Sequence, residues 1–569
     1  MCGIVGILSK KGENVTPFIE KMLSCMRNRG PDGVGLATED EIVYSNTFNK
    51  LFFSQTSAVN VLAHSRLAIV GGSCGSQPFL SCDKKLVLEH NGEIYNYKEL
   101  RKSLEIHHEF KTSTDSEVII HLLEDHYRKT NGNLLEAVKR TVFQLDGIYI
   151  LAIKEQSTGN IILVRDGIGV RQIYYGEDER FFAFGSEKKA LWKINMDSKI
   201  HRLLPGYALF VAQNPNEATF STAIHPVTVN TSKSIRSKYP VTYKDIDSAL
   251  NAYNNALITS VKKRVRDFNR IGIVFSGGID SVIVAFLAKQ MVPEVICYTA
   301  GIKGSNDITN SIDIAEKLDL NLQINELSEA DVEKMIPSII NVIEDDNMGQ
   351  VEVAIPIYAA VKLAREQGIR VMLTGQGADE IFGGYSWYSK IVQKYGYDKI
   401  LEYMINDVQL LYKETLERED KITMSQSIEL REPFLDPSLI DTVLRIDPRL
   451  NIQNDGADVF DTLGKRVHRR LAEKLGIPKE IAYRIKEAAQ HGSGIHGLLD
   501  SIARKNGFTE LSVKGNYLDK LNNRELMGSS QRYGHLFESE KIWNIEPHIQ
   551  MYLEEIATNI LPPISKAVN

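Results

Sequence analysis

Two domains of different architecture are predicted: an α+β sheet domain, then an α/β domain on a parallel sheet with a helical C-terminal part. Three observations carry that expectation. The 569 residues are too many for one hydrophobic core. Residues 1–210 read as short alternating strands between polar turns, with few helices. From 246 onward strands alternate with helices, the pattern that covers a parallel sheet on both faces.

In the first domain, Ile4–Leu8 is a short apolar run directly behind Cys2. Val43–Ser45, Lys85–His90, Gly147–Lys154, Ile161–Arg165 and Phe181–Phe184 have the composition and alternation of strands. Helical spacing marks Val15–Met26, Tyr97–Leu104, Ser116–Tyr127 and Leu134–Thr141. Residues 211–245 read as a linker: Asn214-Pro215-Asn216-Glu217 precedes a Ser/Thr-rich stretch holding Pro226 and Pro240. Over 246–569 the order is strand Ile271–Phe275, helix Val282–Met291, strand Val295–Thr299, helix Ile308–Leu318, helix Pro356–Gln367 and strand Ile369–Leu373. Beyond about 400 the pattern is helical. Ligands of such sheets bind at the carboxyl ends of the strands.

Composition excludes several classes of function. With 43% hydrophobic and 25% charged residues and no biased tract, the chain is globular. A net charge of −6 argues against a nucleic-acid surface. No apolar run approaches the ~18–20 residues that cross a bilayer, and no basic segment precedes Ile4–Leu8 as in a secretion signal. Five cysteines without a Cys-x-x-Cys spacing read as reduced thiols, not as a disulfide framework or zinc site. The expectation is a soluble cytoplasmic protein that uses neither nucleic acid nor membrane. Oligomeric state is left open, a homodimer included.

Cys2 follows the initiator Met1. Removing Met1 would place a thiol, pKa about 8.5, and a free α-amine, about 7.7–8.0, on one residue, so a nucleophile and its base would be together. That is the arrangement of N-terminal nucleophile hydrolases; an incidental cysteine in a buried strand is the alternative.

Strand Ile271–Phe275 runs into Ser276-Gly277-Gly278-Ile279-Asp280-Ser281 and then a helix. Two glycines let the backbone approach a bound anion, and the helix N-terminus presents free N–H groups. Ser276 and Ser281 add hydroxyls, while Asp280 suits a Mg²⁺ bridging phosphate oxygens. No Gly-x-x-x-x-Gly-Lys-Ser/Thr occurs, so this is not a Walker loop. A second loop, Thr374-Gly375-Gln376-Gly377-Ala378-Asp379-Glu380, follows Ile369–Leu373 and also suits a nucleotide and a metal.

Cys2 and Ser276–Ser281 in one chain resemble the glutamine-hydrolysing asparagine synthetase family (class II, N-terminal nucleophile amidotransferases). Further marks of that family follow in order: Arg29-Gly30-Pro31-Asp32-Gly33, Arg66-Leu67-Ala68-Ile69-Val70, Asn91-Gly92-Glu93-Ile94-Tyr95-Asn96, Thr114-Asp115-Ser116-Glu117 and Arg165-Asp166-Gly167-Ile168-Gly169. Then come Gly377–Tyr385, Glu429–Asp436 and Arg484-Ile485-Lys486-Glu487. The resemblance implies an αββα sandwich glutaminase over 1–210 and an ATP pyrophosphatase-type synthetase over 246–569. It implies Cys2 as nucleophile, the Asn91 side chain and Gly92 N–H as oxyanion donors, and Arg66, Glu93 and Asp115 as glutamine-binding residues. For the synthetase it implies ATP held by Ser276, Gly277, Gly278, Asp280, Ser281, Thr374 and Gly375, Mg²⁺ on Asp280 and Asp379, and Lys486 as the catalytic lysine. The activity implied is glutamine hydrolysis, then amidation of an adenylated carboxylate, aspartate in the first place, with release of AMP and pyrophosphate. Plainer alternatives exist for single residues: Arg66 as a surface ion pair, Asn91-Gly92 as a hairpin turn, Lys486 as a solvated charge.

Three departures from the family pattern fall around the acceptor pocket, where Glu352 and Gln376 are the candidate residues. Gln376 stands where an acid is usual, and Gln neither donates nor accepts a proton at ordinary pH. Gly349-Gln350-Val351-Glu352 stands where some members carry Thr-Thr-x-Arg, and Gln490-His491-Gly492 stands where Ser-Asp-Gly is common. Alternatives are therefore the same chemistry on a different carboxylate, a β-lactam synthetase-type cyclase, or a non-catalytic glutamine or ATP sensor. The intact Cys2, Arg66, Asn91 and Asp115 set argues against the cyclase.

Overall fold

A computed structural model describes residues 2–48, 52–53, 56–72, 75–196, 200–214, 219–228, 240–452, 464–485, 487–522, 532–536 and 546–562. The chain forms two compact units, one built mainly from Met1–Asn230 and the other from Thr231–Thr423 and Ile428–Leu561.

The first unit stacks two sheets between two helical layers. One sheet has seven strands in the order Ile200–Arg202, Tyr174–Glu177, Phe181–Gly185, Cys2–Ser9, Asn60–Arg66, Val34–Ala37, Ile42–Ser45. The other has six: Thr219–Pro226, Tyr207–Asn214, Ile161–Arg165, Gly147–Glu155, Leu86–Ile94, Phe79–Leu80. Every pairing found in them is antiparallel. Side-chain alternation explains the layering. Ile4 and Leu8 join Val87, Ile150, Leu163 and Leu209 in the core between the sheets. Val5 and Ile7 turn the other way, against helices Thr16–Ser24 and Lys188–Trp192. Leu86 and Leu88 likewise face helices Glu117–Lys129 and Leu134–Val142.

Strand order does not lapse at 211 as the linker reading expects. Tyr207–Asn214 pairs along its length with Thr219–Pro226. The second strand of this hairpin is an exposed sheet edge, so it lacks the inward alternation that betrays a strand in sequence, and its Thr and Ser content reads as linker. Asp245 then caps helix Ile246–Val265, its side chain accepting from Ser248 N–H at 2.8 Å.

The second unit holds a five-stranded sheet in the order Asn321–Leu327, Glu294–Ile302, Arg270–Val274, Val371–Leu373, Glu429–Arg431, parallel throughout. Chain order reverses between Arg270–Val274 and Val371–Leu373. That is the switch point where a crevice opens beyond the carboxyl ends of the strands, and each of these two strands ends in one of the glycine-rich loops. The sequence starts a helix at Pro356; the observed helix is Met348–Glu366, capped by Asn347, with Pro356 inside it. Gln350 and Glu352 are therefore helical. No helix among the described residues is long and apolar enough to cross a membrane.

Candidate functional site

The site in the first unit is built by strand pairing. Cys2 opens a central strand, and its register partner is Arg66. Cys2, Ile4 and Leu8 share the face between the sheets, so Cys2 sits at the end of that core layer. On the facing sheet Val87, Glu89, Asn91 and Glu93 alternate inward. Cys2 N–H donates to Asn91 Oδ1 at 2.9 Å. A backbone N–H in this bond can only donate, so the amide oxygen faces Cys2 and fixes the amide's orientation. Asn91 Nδ2 is buried and has no partner among the described residues. A buried, unused donor beside a nucleophile is the arrangement an oxyanion needs.

Asn91 and Gly92 lie within strand Leu86–Ile94, paired residue by residue with Gly147–Glu155, so they form no hairpin turn. A Cβ at Gly92 would stand 2.0 Å from Ile148 O; only glycine fits. Arg29 pins the nucleophile's own backbone, donating from Nε to Cys2 O at 3.1 Å while its guanidinium pairs with Glu187 at 2.9 Å.

Arg66 is buried, not a surface charge, and donates to Gly72 O at 2.8 Å. Gly75 packs so closely on Arg66 and Thr114 that a Cβ there would meet Thr114 Cγ2 at 2.2 Å and Arg66 Nη2 at 3.0 Å. Asp115, next to Thr114, accepts from Ile94 N–H at 2.9 Å, beside Glu93. Arg66, Glu93 and Asp115 are thus drawn from three segments to one end of the sheets. Two polar groups under them are held neutral by burial. The His64 ring is pushed down to about 3, and Glu89, whose carboxylate oxygens have no hydrogen-bond partner among the described residues, is pushed well above the carboxylate range.

In the second unit the two glycine loops touch. A Cβ on Gly375 would lie 2.7 Å from Asp280 Cβ and 2.8 Å from Ser281 N. Gly277 adopts φ +63°, which glycine allows without strain, and its carbonyl accepts from Arg484 Nη2 at 2.5 Å. Ser281 Oγ donates to Gly278 O at 2.9 Å. Thr374 N–H donates to Arg431 O at 3.1 Å, anchoring the second loop to the next strand.

Asp280 and Asp379 are both buried, and both reach Lys465. Its Nζ stands 2.7 Å from each Asp280 oxygen and 2.7 Å from Asp379 Oδ1. The His468 ring, stacked on Phe382, adjoins Asp280, with Nε2 3.2 Å from its carboxylate and Nδ1 2.6 Å from Tyr253 OH. Two carboxylates that converge on one cation fit a Mg²⁺ site. Lys465 and His468 carry no signal in sequence: they lie far along the chain from both loops, and a Lys-x-x-His spacing across a helix start is common. Lys486 lies outside the described residues; its neighbour Glu487 accepts from Asn306 Nδ2 at 2.9 and 3.0 Å.

Glu352 and Gln376 contact different surroundings. Gln376 Nε2 lies 3.4 Å from Thr415 Oγ1. Thr415 belongs to the π-helical turn Tyr412–Leu416, and such turns recur at functional sites. Arg418, one turn on and nearly buried, donates to Gln350 Oε1 at 2.8 Å; its Nε has no hydrogen-bond partner among the described residues. Glu352 lies two residues beyond Gln350, about 200° around the helix. It is fully buried against His496, Nδ1 to Oε1 2.7 Å, and His491 packs on His496 with ring centroids 5.0 Å apart. The Glu352 carboxylate therefore has its own imidazole partner, and its hydrogen bond raises the His496 pKa above its ordinary value.

Residues 1–239 match the family of glutamine amidotransferase domains, and residues 252–399 and 392–554 match the asparagine synthase family. A Methanocaldococcus jannaschii protein named as a glutamine-hydrolysing asparagine synthetase is 34% identical over 560 residues, covering 92% of this chain and 98% of that protein. Glutamine-hydrolysing asparagine synthetase 1 of Arabidopsis thaliana is 29% identical over 89% of this chain and 81% of its own length. A Schizosaccharomyces pombe protein of the same name is 28% identical over 87% and 85%.

Proposed function

Because the chain belongs to the asparagine synthase family and carries its glutamine amidotransferase domain, we propose that it hydrolyses glutamine at Cys2 and uses the ammonia to convert aspartate to asparagine, with ATP cleaved to AMP and pyrophosphate. The observation that most supports the first half is the Asn91 amide, whose oxygen is engaged by Cys2 N–H while its buried Nδ2 has no partner among the described residues.

With Met1 removed, the Cys2 α-amine takes the thiol proton and the thiolate attacks the glutamine side-chain amide carbon. The charge that develops on the amide oxygen is met by Asn91 Nδ2 and the Gly92 N–H, donors already in place. The ammonium returns the proton to the leaving nitrogen, ammonia departs, and water hydrolyses the thioester to glutamate. Arg66 holds the glutamine carboxylate, and Asp115 with Glu93 its ammonium.

In the second unit the Ser276–Ser281 loop and the N-terminus of helix Ile279–Lys289 receive the phosphates. Asp280 and Asp379 would hold Mg²⁺, which supplies charge neutralisation at the phosphates when bound. The aspartate side-chain carboxylate attacks the α-phosphorus, pyrophosphate leaves, and ammonia displaces AMP from the acyl carbon. Lys486 and Lys465 offset the charge on the nucleotide. For the acceptor, Arg418 supplies the guanidinium that position 352 lacks, beside Gln376 and its partner Thr415. Gln376 alone favours a second reading, in which another carboxylate replaces aspartate.

The test is a screen of carboxylic acids, aspartate first, with glutamine and ATP. Aspartate should give asparagine, AMP and pyrophosphate in equal amounts. AMP release with a different acid but not with aspartate would overturn the acceptor, and ADP with orthophosphate would overturn the adenylation.

A further inference from the structure

Away from both sites, four side chains of the first unit meet at one point. Cys82 lies in the turn between strands Phe79–Leu80 and Leu86–Ile94. His108 follows helix Tyr97–Leu104, and His121 and Glu124 lie on one face of helix Glu117–Lys129. Their donor atoms all lie within 4.8 Å of one another. Cys82 Sγ is 3.7 Å from Nδ1 of His108 and 3.7 Å from Nδ1 of His121, and His108 Nδ1 is 3.8 Å from Glu124 Oε2.

Those spacings fit a coordination tetrahedron. Zn–S near 2.3 Å and Zn–N near 2.0–2.1 Å imply a sulfur–nitrogen edge of about 3.6 Å. The outer nitrogens carry the second feature of a metal site. His108 Nε2 is 3.0 Å from Asp125 Oδ1, and His121 Nε2 is 3.6 Å from Glu117 Oε1. The Asp125 carboxylate behind His108 keeps the proton on Nε2 and turns the Nδ1 lone pair inward, while Glu117 stands near His121 Nε2 outside hydrogen-bond distance. Two imidazole lone pairs, a carboxylate oxygen and a sulfur then converge; the Cys82 N–H donates to Glu124 Oε2 at 2.9 Å, and the thiol proton is the other hydrogen at hand. Left without a cation, such a group of acceptors is mutually repulsive.

We propose that Cys82, His108, His121 and Glu124 bind one Zn²⁺ as a structural site, with the Cys82 thiol proton released on binding. One thiolate, two imidazoles and one carboxylate form a borderline-soft set that suits zinc over magnesium or calcium. Four protein ligands leave no position for substrate, so the role is to clamp. The ion ties the Cys82 turn and the segment around His108 to helix Glu117–Lys129, just behind Asp115. The ligand spacing 82, 108, 121, 124 contains no paired short motif, which is why the cysteines read in sequence as ordinary thiols.

The test uses the full chain, stripped of metal, exposed to zinc and dialysed. The wild type should retain about one zinc per chain, and Cys82→Ser and His121→Gln should lose it. Cobalt in place of zinc should give the intense d–d bands of tetrahedral geometry with a thiolate charge-transfer band. Because Cys82 is exposed, its alkylation, read by peptide mass spectrometry in the wild type, needs no variant to fold and should be blocked by added zinc. Zinc retention no greater than in the variants, a cobalt spectrum without the thiolate band, or alkylation of Cys82 unaffected by zinc would each overturn the proposal.

Discussion

Cys2 and Arg66 face each other across one strand pair, and Asn91 reaches Cys2 from the opposite sheet. Asp280 and Asp379, by contrast, are joined through Lys465, which directly precedes the distant helix Arg466–Lys474. The first site is positioned by backbone register, which a paired strand holds firmly. The second is assembled from long side chains that touch across loops, so its geometry depends on the charges present. Removing a backbone-positioned group should delete one function and spare the frame, whereas removing a charge from the second site should unbalance its neighbours.

The largest effect should come from Asp280→Asn and Asp379→Asn. Each keeps the side-chain shape but leaves Lys465 less compensated and weakens the magnesium position. Synthesis should fall at least about a thousandfold, matching the several kcal/mol that a bound metal contributes. Glutamine hydrolysis should be unchanged, and assays of the two half-reactions on one preparation check both. Asn91→Ala is the mirror image. Loss of one oxyanion donor should lower glutaminase kcat about 10²–10³-fold, with ammonia-driven synthesis retained.

Arg418→Gln sharpens the comparison within the second unit. A lost charged hydrogen bond, about 1.5–3 kcal/mol, should raise the aspartate KM roughly ten- to a hundredfold with KM for ATP little changed. An unaltered aspartate KM would remove Arg418 from the acceptor pocket. The smallest effect is in pH. Glu352 raises the His496 pKa above its ordinary value, so the pair's stabilisation is complete below about 6.5 and is lost as pH rises through the elevated folded value. His496 is partly exposed, so screening keeps this under about 1 kcal/mol. Thermal unfolding midpoints across neutral to alkaline pH should show the decline in wild type and not in Glu352→Gln.

What could be read in sequence follows the same division. Cys2, Arg66, Asn91, Glu93 and Asp115 sit in short strings whose neighbours have backbone duties: Gly92 where a Cβ would strike Ile148 O, Gly30 where one would stand 2.1 Å from the Ser65 carbonyl carbon. Such strings are specific because the backbone tolerates little else. The two nucleotide loops were legible for the same reason, a strand, glycines and a helix start in fixed order. Lys465, His468, Arg418 and His496 were not, since each lies on a helix or directly before one, where any polar residue would pass as surface. The hairpin Tyr207–Pro226 and the early start of helix Met348–Glu366 were missed through exposure and through Pro356. An edge strand has no buried face to alternate, and an interior proline imitates a first-turn one.

The most direct test replaces Cys2 with Ala and compares nitrogen sources. With ATP, aspartate and ¹⁵N-ammonia, Cys2→Ala should make ¹⁵N-labelled asparagine at close to the wild-type rate. With glutamine labelled at its amide it should make none. Glutamine hydrolysis at the wild-type rate by Cys2→Ala, or loss of the ammonia-driven reaction with it, would contradict two separately built sites.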